Sequence, residues 1–460
     1  MENSLPQGWE FPLLGEVVNI TSGNSSLTKK VYKEDGKYIA FSGTGPDGKV
    51  DFFEEEGEAI ILSAVGARCG KCFRANGQWT TIANTSVIRA FANDDKHVDY
   101  LFYLLNNENF WPKGGSGQPF VQTGKAQKEI HIPLPPLDEQ HRIVAKLDAV
   151  MQKVESNKQR LEKIPIILKR FRQSVLAAAV SGKLTEEWKK KNGFKEWDEV
   201  ELNSVIPKGG IFDGPFGSNL KTADYTDKGI RVIRLENIEH LYFVHEKETY
   251  ITKEKYQSLL RHTVGEGDII FSSFISEEIR ACILPYLPTK AIAKADCFCI
   301  RPDENKIDKF FLLFVLTSMR SFEQLVLNIH GATRPRINTT QLKTLSIPLP
   351  EVVEQKEIVR KVEQLFAFAD KLEARYTKAK AMLDKLPQSI LAKAFRGELV
   401  AQNPEDEPAS VLLEKIKAEK ETLRQAQGKK GGKKTKAYSI EEKPMKIAAE
   451  KKVKYKKVKA

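Results

Sequence analysis

The chain has 460 residues, 41% of them apolar and 29% charged, the balance of an ordinary globular protein of about three domains. No apolar run approaches the length of a membrane span, and the first thirty residues lack the charged and apolar blocks of a signal peptide; a helical membrane protein is excluded and the cytoplasm is the expected compartment. The net charge of +12 is unevenly placed, because residues 401–460 hold 17 Lys and Arg against 9 Asp and Glu, which leaves only +4 for the rest.

In chain order, residues 37–41 and 49–53 read as strands on either side of Gly43-Thr44-Gly45-Pro46-Asp47-Gly48. That stretch spells G-x-G-x-x-G, but a dinucleotide site needs a helix directly after the glycines, so it reads as a turn. Gly57-Glu58-Ala59-Ile60-Ile61 is a turn feeding an apolar strand. Gly66-Ala67-Arg68-Cys69-Gly70-Lys71 falls one residue short of a P-loop and has Cys72 where Ser or Thr would hold magnesium. Cys69 and Cys72 form a C-x-x-C, yet Cys282, Cys297 and Cys299 lie far along the chain, which argues against zinc. Five cysteines, an odd number, fit a reducing compartment. A short apolar helix is expected over 100–105, and Ile132-Pro133-Leu134-Pro135 is extended, since prolines and the residues before them avoid the helix.

From there the apolar residues step by four and three through Ile143, Leu147, Val150, Val154, Asn157, Leu161, Ile164, Leu168, Phe171 and Val175, the seam of a coiled coil. Gly182 stands where that helix would end. The pattern then returns. Residues 132–184 align without a gap with 347–399 at a constant offset of 215: Ile347-Pro348-Leu349-Pro350 repeats the tetrapeptide, Glu354-Gln355 repeats Glu139-Gln140, and Gln388-Ser389-Ile390-Leu391-Ala392 repeats Gln173-Ser174-Val175-Leu176-Ala177. The second seam runs through Ile358, Val362, Leu365, Ala369, Leu372, Tyr376, Ala379, Leu383, Leu386 and Ile390 and closes on Gly397. Pro165 and Pro387 should each kink or loosen their helix, and Asn157, opposite Leu372 in the repeat, is either a register device or an exposed position.

The segments before the helices are weaker relatives. Trp9 and Leu14 match Trp197 and Leu202, Gly57 to Ile61 matches Gly267 to Phe271, a second short helix is expected over 310–316, and Gly115-Ser116-Gly117-Gln118-Pro119 matches Gly331-Ala332-Thr333-Arg334-Pro335. The fold class is therefore α+β, a tandem repeat with pseudo-two-fold character. Two mixed α/β globules are separated by two long helices packed as an antiparallel coiled coil. The segments are 1–135 and 186–350 for the globules, 136–185 and 351–400 for the helical regions, 401–427 for a C-terminal helix, and 428–460 for a Lys-rich tail expected to be solvated and disordered.

The ordered set of Ile-Pro-Leu-Pro, Glu-Gln, Gln-Ser-(Val/Ile)-Leu-Ala and Gly-x-Leu, present twice, resembles the specificity subunits of type I restriction-modification systems over residues 1 to 420. The stretch from Glu407 to Leu413 looks like the family's C-terminal helix. The resemblance implies two target-recognition domains, each reading one half of a bipartite asymmetric target in double-stranded DNA, with a spacer set by the helices. It implies no chemistry in this chain: S-adenosylmethionine belongs to two modification subunits docked on the helices, and ATP and magnesium to the partner subunits, restriction subunits among them. A coiled-coil scaffold whose globules bind proteins is the alternative.

Base edges demand donors and acceptors, so polar and basic residues on loops are the candidates for DNA contact. They are Arg68, Lys71, Arg74, Gln118, Gln122 and Lys125 in the first globule, and Lys221, Arg231, Arg234, Asn237, Arg280, Arg334, Arg336 and Asn338 in the second. The helical seam is expected at Ile143, Leu147, Val150, Val154, Leu161, Leu168, Ile358, Val362, Leu365, Leu372, Leu383 and Ile390.

Overall fold

The computed structural model describes residues 5–91, 94–327 and 335–430, the last eight by their backbone alone. The chain forms two compact units, one of residues 1–153 with 386–460 and the other of residues 154–385.

The first unit opens with α1 (Leu14–Val17) and β1 (Val18–Ser22), followed by β2 (Tyr38–Ser42), β3 (Gly45–Val50), β4 (Glu55–Glu56), β5 (Ala59–Ser63), β6 (Cys72–Ala75), β7 (Gln78–Thr81) and β8 (Thr85–Ala90). Then come α2 (Asp95–Leu105), the β9 (Lys113–Gly114) and β10 (Phe120–Val121) hairpin, α3 (Thr123–Glu129) and α4 (Leu137–Leu161), the last crossing from this unit into the second. The strands form two four-stranded sheets, β1-β8-β5-β6 and β3-β2-β7-β4, in which β2 and β7 run parallel.

In the second unit, α5 (Ile164–Val180) and α6 (Glu186–Asn192) precede β11 (Asp198–Glu201), β12 (Ile211–Phe212), β13 (Tyr225–Thr226), β14 (Ile230–Ile233), β15 (Tyr250–Ile251), α7 (Lys253–Gln257) and β16 (Thr263–Val264). Next are β17 (Ile269–Ser272), β18 (Ala281–Ile283), β19 (Ala291–Ala293), β20 (Cys297–Ile300), α8 (Lys309–Thr317), α9 (Met319–Val326), α10 (Thr339–Lys343) and β21 (Ser346–Leu349). The helix α11 (Val352–Ala394) begins here, while its last turns and α12 (Ala409–Lys430) belong to the first unit. One sheet has the order β12-β20-β17-β18, matching β1-β8-β5-β6 strand for strand, and the parallel pair β14 and β19 matches β2 and β7. The repeat visible in the helices thus extends to the topology of the heads.

The central strand of each matching sheet is covered on both faces. Ile60 and Leu62 of β5 join a core with Trp9, Tyr100 and Leu147, while Ala59 and Ile61 join a second core with Phe41 and Trp79. Alternate side chains of a strand point to opposite faces, so a continuous apolar run is what such a strand requires. In β17, Ile269 and Phe271 likewise face one core, and Ile270 faces another shared with Cys282, Cys297 and Cys299. These cysteines are buried; burial pushes the Cys282 thiol up to about 12, as suits an inert core residue. Cys69 and Cys72 are also buried, and the Cys72 thiol donates to the Leu105 carbonyl at 3.4 Å.

The repeated signatures build the joint between head and helix. Leu134 bridges Glu10 in the first unit, and β21, which holds Ile347-Pro348-Leu349, pairs antiparallel with β11 in the second. At the head of α4, Glu139 accepts from the Trp9 indole at 2.9 Å and from Gln402 at 2.6 Å. At the head of α11, Glu354 accepts from the Trp197 indole at 3.0 Å and from Thr185 at 2.7 Å. Gln140 and Gln355 donate back to the carbonyls of Pro135 and Pro350, at 2.9 and 2.7 Å. Gly182 and Gly397 adopt φ of +77° and +72°, where a Cβ would press on Trp197 in one case and on Pro6 and Trp9 in the other.

In the second unit α5 and α11 run antiparallel, with Arg172 bonded to Asp370 and Glu373 at 2.7 Å each and Lys158 of α4 3.7 Å from Asp384. All twelve seam residues are buried or half-buried, whereas Asn157 is exposed. The first helix is interrupted at residues 162–163 and Pro165 stands in the first turn of α5, where its missing N–H has no bond to lose, but α11 continues through Pro387 with full turns on either side. The glycine-rich stretch also differs: the turn is only Gly43-Thr44, and Gly45–Val50 is itself a strand paired with β2. The two predicted short helices are longer than expected, as α2 and α8. The C-terminal helix runs to Lys430, three residues into the predicted tail, and residues 431–460 lie outside the described residues. Ala409, Leu412 and Ile416 of α12 enter the core of the first unit, where Ala409 donates its N–H to the Gly8 carbonyl at 2.9 Å and Arg142 grips Asp406 with two bonds of 3.2 and 2.6 Å.

Two stability predictions follow from this packing. Ile358 is fully buried, so Ile358→Asp should destabilise the second unit by more than about 3 kcal/mol, whereas Asn157→Ala should change stability by less than about 0.5 kcal/mol; urea unfolding measures both. His97 is buried, donates from Nδ1 to Gln140 at 2.7 Å and has no partner for Nε2 among the described residues, and burial holds its pKa below the ordinary 6.5. The unfolded chain therefore binds a proton that the folded chain refuses, so this stability is complete above about pH 6.5 and is lost as pH falls below it. Unfolding of the first unit followed from pH 7.5 to 5.5 should show the loss, and His97→Gln should flatten it.

Candidate nucleic-acid interface

Each unit brings three loop segments together through the same backbone bonds. In the first, the Ala64 N–H donates to the Asn84 carbonyl at 2.9 Å, the Ala64 carbonyl accepts from Val121 at 2.8 Å, Val65 bridges Phe120, and Gly66 donates to Pro119 at 2.9 Å. In the second, Ser273 donates to Asp296 at 2.9 Å and accepts from Ile337 at 3.0 Å, Phe274 bridges Arg336, and Ile275 donates to Pro335 at 3.1 Å. The loop after β5 or β17, the residue before β8 or β20, and the segment ending in Pro119 or Pro335 thus form one frame built twice. Loops held by a rigid sheet are where binding residues can vary without disturbing the core.

In the first unit this frame borders a cleft of about 480 Å³ lined by residues that include Lys29, Ser42, Thr44, Arg68 and Asn84. Arg68 is exposed there and reaches the Thr44 carbonyl at 3.4 Å. Gln118 is exposed on the neighbouring segment and Lys71 is half-buried at the end of the same loop. Gln122 is half-buried just before α3, and Lys125, on α3, lies 3.7 Å from Glu129. Arg74 is placed elsewhere: it pairs with Asp99 at 3.1 Å and lies over the rings of Phe102 and Tyr103, fastening β6 to α2. Asp47, bonded to three residues of the cleft lining, accepts from Lys29, Ser42 and Thr44 and also from Tyr32, and these bonds, outweighing burial, hold its carboxyl well below the usual range.

In the second unit Arg336 is exposed, 3.4 Å from Asp296 and over the Phe274 ring, and Asn338 is exposed as the N-cap of α10. Asp213, pushed up to about 6 by burial and by the nearby Asp296 carboxylate, flanks the same place. The other candidates bind their own chain. Arg231 is 3% exposed, bonded to Glu248 and the His245 carbonyl at 3.0 Å each. Arg234 pairs with Glu236 at 3.2 Å, and Asn237 is buried, accepting from Arg234 N–H and donating to the carbonyls of Val244 and Glu246. Arg280 donates to the carbonyls of Leu235 and Ile238. Lys221 is exposed before a 3-10 turn, and Arg334 lies outside the described residues.

Sequence reasoning passed over Asn84 and Asp296, both in the left-handed region at φ +69°. The available signal was an Asn or Asp immediately before each of two matching strands, since these residues tolerate that conformation best after glycine.

A model of the type I restriction modification DNA specificity domain matches residues 6–165 and 195–380. The chain is similar to the type I restriction enzyme EcoDI specificity subunit of Escherichia coli, 34% identical over 90% of this chain and 96% of that one. It is 37% identical to the EcoBI specificity subunit of Escherichia coli over 65% of this chain and 66% of that one. The fold is shared with the HsdS subunit from Thermoanaerobacter tengcongensis, with a TM-score of 0.56 at 20% identity over 86% of this chain and 99% of that one. With two domains built on one frame and a family match that spans both of them, the chain belongs to the specificity subunits of type I restriction-modification systems.

Proposed function

We propose that this chain reads a bipartite asymmetric site in double-stranded DNA, one half-site per domain, and performs no chemistry of its own. The observation that carries the reading is the duplicated frame: identical backbone bonds hold different side chains, which is what one reading task on two different half-sites requires. Membership in the family supports DNA and other restriction-modification subunits as partners. Among the described residues no helix is long and apolar enough to cross a membrane.

In this reading residues 1–135 and 186–350 are the target-recognition domains, and two modification subunits dock on the helical regions 136–185 and 351–400. S-adenosylmethionine is bound and used by the modification subunits, and ATP and magnesium by the partner assembly, including restriction subunits where they are present. The exposed apolar residues Ile166, Ile167, Phe368 and Met382 on α5 and α11 support docking there, because large apolar groups on a helix surface favour a covering partner.

Exchanging residues 1–131 for another recognition domain should change one half of the methylated motif and leave the other intact, read by mapping N6-methyladenine in cells that carry the partner subunits. Changes in both halves would contradict one domain per half-site. Binding should also weaken steeply with salt, with a log–log slope of about −0.9 for each phosphate neutralised; a salt-insensitive association would favour a protein-binding scaffold.

A further inference from the structure

The shared frame puts an Asn or Asp with positive φ at one topological position in both domains, Asn84 before β8 and Asp296 before β20. Glycine would take that conformation at lower energy, so the side chain is kept against a local cost. What each side chain does there differs. Asn84 is exposed on the cleft that Lys29 and Arg68 also line, and its carboxamide makes no hydrogen bond among the described residues. Asp296 accepts from the Ser273 hydroxyl at 3.0 Å and faces the Arg336 guanidinium at 3.4 Å.

Arg336 lies 5.7 Å over the Phe274 ring and its side chain stays 56% exposed. A guanidinium held between a ring face and a carboxylate has lost most of its freedom before any ligand arrives, while the rest of its donor fork stays open. In the first domain the same bridge position is occupied by Phe120, exposed and uncharged. Two equivalent positions therefore present a carboxamide and a phenyl ring in one domain, and a carboxylate-steered guanidinium in the other.

We propose that these are base-reading positions, with Asn84 pairing to the N6 and N7 edge of adenine in one half-site and Arg336, positioned by Asp296, pairing to O6 and N7 of guanine in the other. The proposal rests on the DNA-recognition reading above and adds to it the residues and the letters. The chemistry follows from the major-groove edges: adenine offers one donor and one acceptor, which a carboxamide matches, and guanine offers two acceptors, which a guanidinium matches. Asp296 is a positioning residue and touches no base.

The test is selection of bound sequences from a random duplex library by the full chain, comparing the parent with Asn84→Asp, Asp296→Asn and Arg336→Ala. The first two exchanges keep size and tolerate the same backbone. The parent should enrich a two-part motif. Asp296→Asn and Arg336→Ala should each weaken guanine preference about tenfold at one and the same position, leaving the other half untouched. Asn84→Asp should lose adenine at one position of the other half, because a carboxylate cannot donate to N7. Variants that bind all sequences more weakly but enrich the parental motif would show a purely structural role and overturn the proposal. A parent that enriches no two-part motif would overturn the DNA-recognition reading and the proposal with it.

Discussion

The structure depends on a buried carboxylate at the head of each long helix. Glu139 and Glu354 are each about 1% exposed, and each joins an indole from the start of one globule, Trp9 or Trp197, to a polar group in the segment after the end of the other long helical region. A carboxylate taken out of water is stabilised only if its oxygens are filled, and here two donors from distant parts of the chain fill them. Glutamate in the first turn also lies at the favourable end of the helix dipole. At Glu139 burial raises the carboxyl's pKa more than the Trp9 and Gln402 bonds lower it. Replacing the glutamate would release three segments at once, which explains why Glu-Gln recurs at the same point in both halves of the chain.

The indoles of this joint pack in the cores that also hold β5 and β17, the strands that precede the paired loops. The strands β5 and β17 are buried on both faces and are followed by loops whose backbone is pinned by the same set of bonds. Side chains on such loops can change without altering packing beneath them. The two heads therefore keep their topology while their residues diverge, and the positions with equal backbone roles carry Asn84 or Asp296, and Phe120 or Arg336.

Charge alone is a poor guide to the interface. Arg74, Arg231, Arg234 and Arg280 are drawn into ion pairs and carbonyl contacts with their own domains. Arginine suits this work because its planar fork satisfies several acceptors in a fixed geometry. Its presence in a loop therefore identifies a need for donors, which the fold itself can meet. Arg68 and Arg336 differ in keeping exposed guanidiniums on the shared frame.

The tandem repeat, the two long helices and their starts and ends were legible in the linear sequence, because periodicity, proline and glycine act over a few residues and leave a local record. The α+β character of the heads was legible for the same reason, from apolar runs bounded by turns. Tertiary structure alone decided that α11 passes through Pro387, since neighbouring turns and packing outweigh one lost bond. It alone decided which arginines face solvent and that Asn84 and Asp296 occupy one position, because those facts depend on partners such as Glu248, Asp99 and Ser273 that lie 15 or more residues away in the chain. Local chemistry is written in sequence, whereas the choice of partner is made only when distant segments meet.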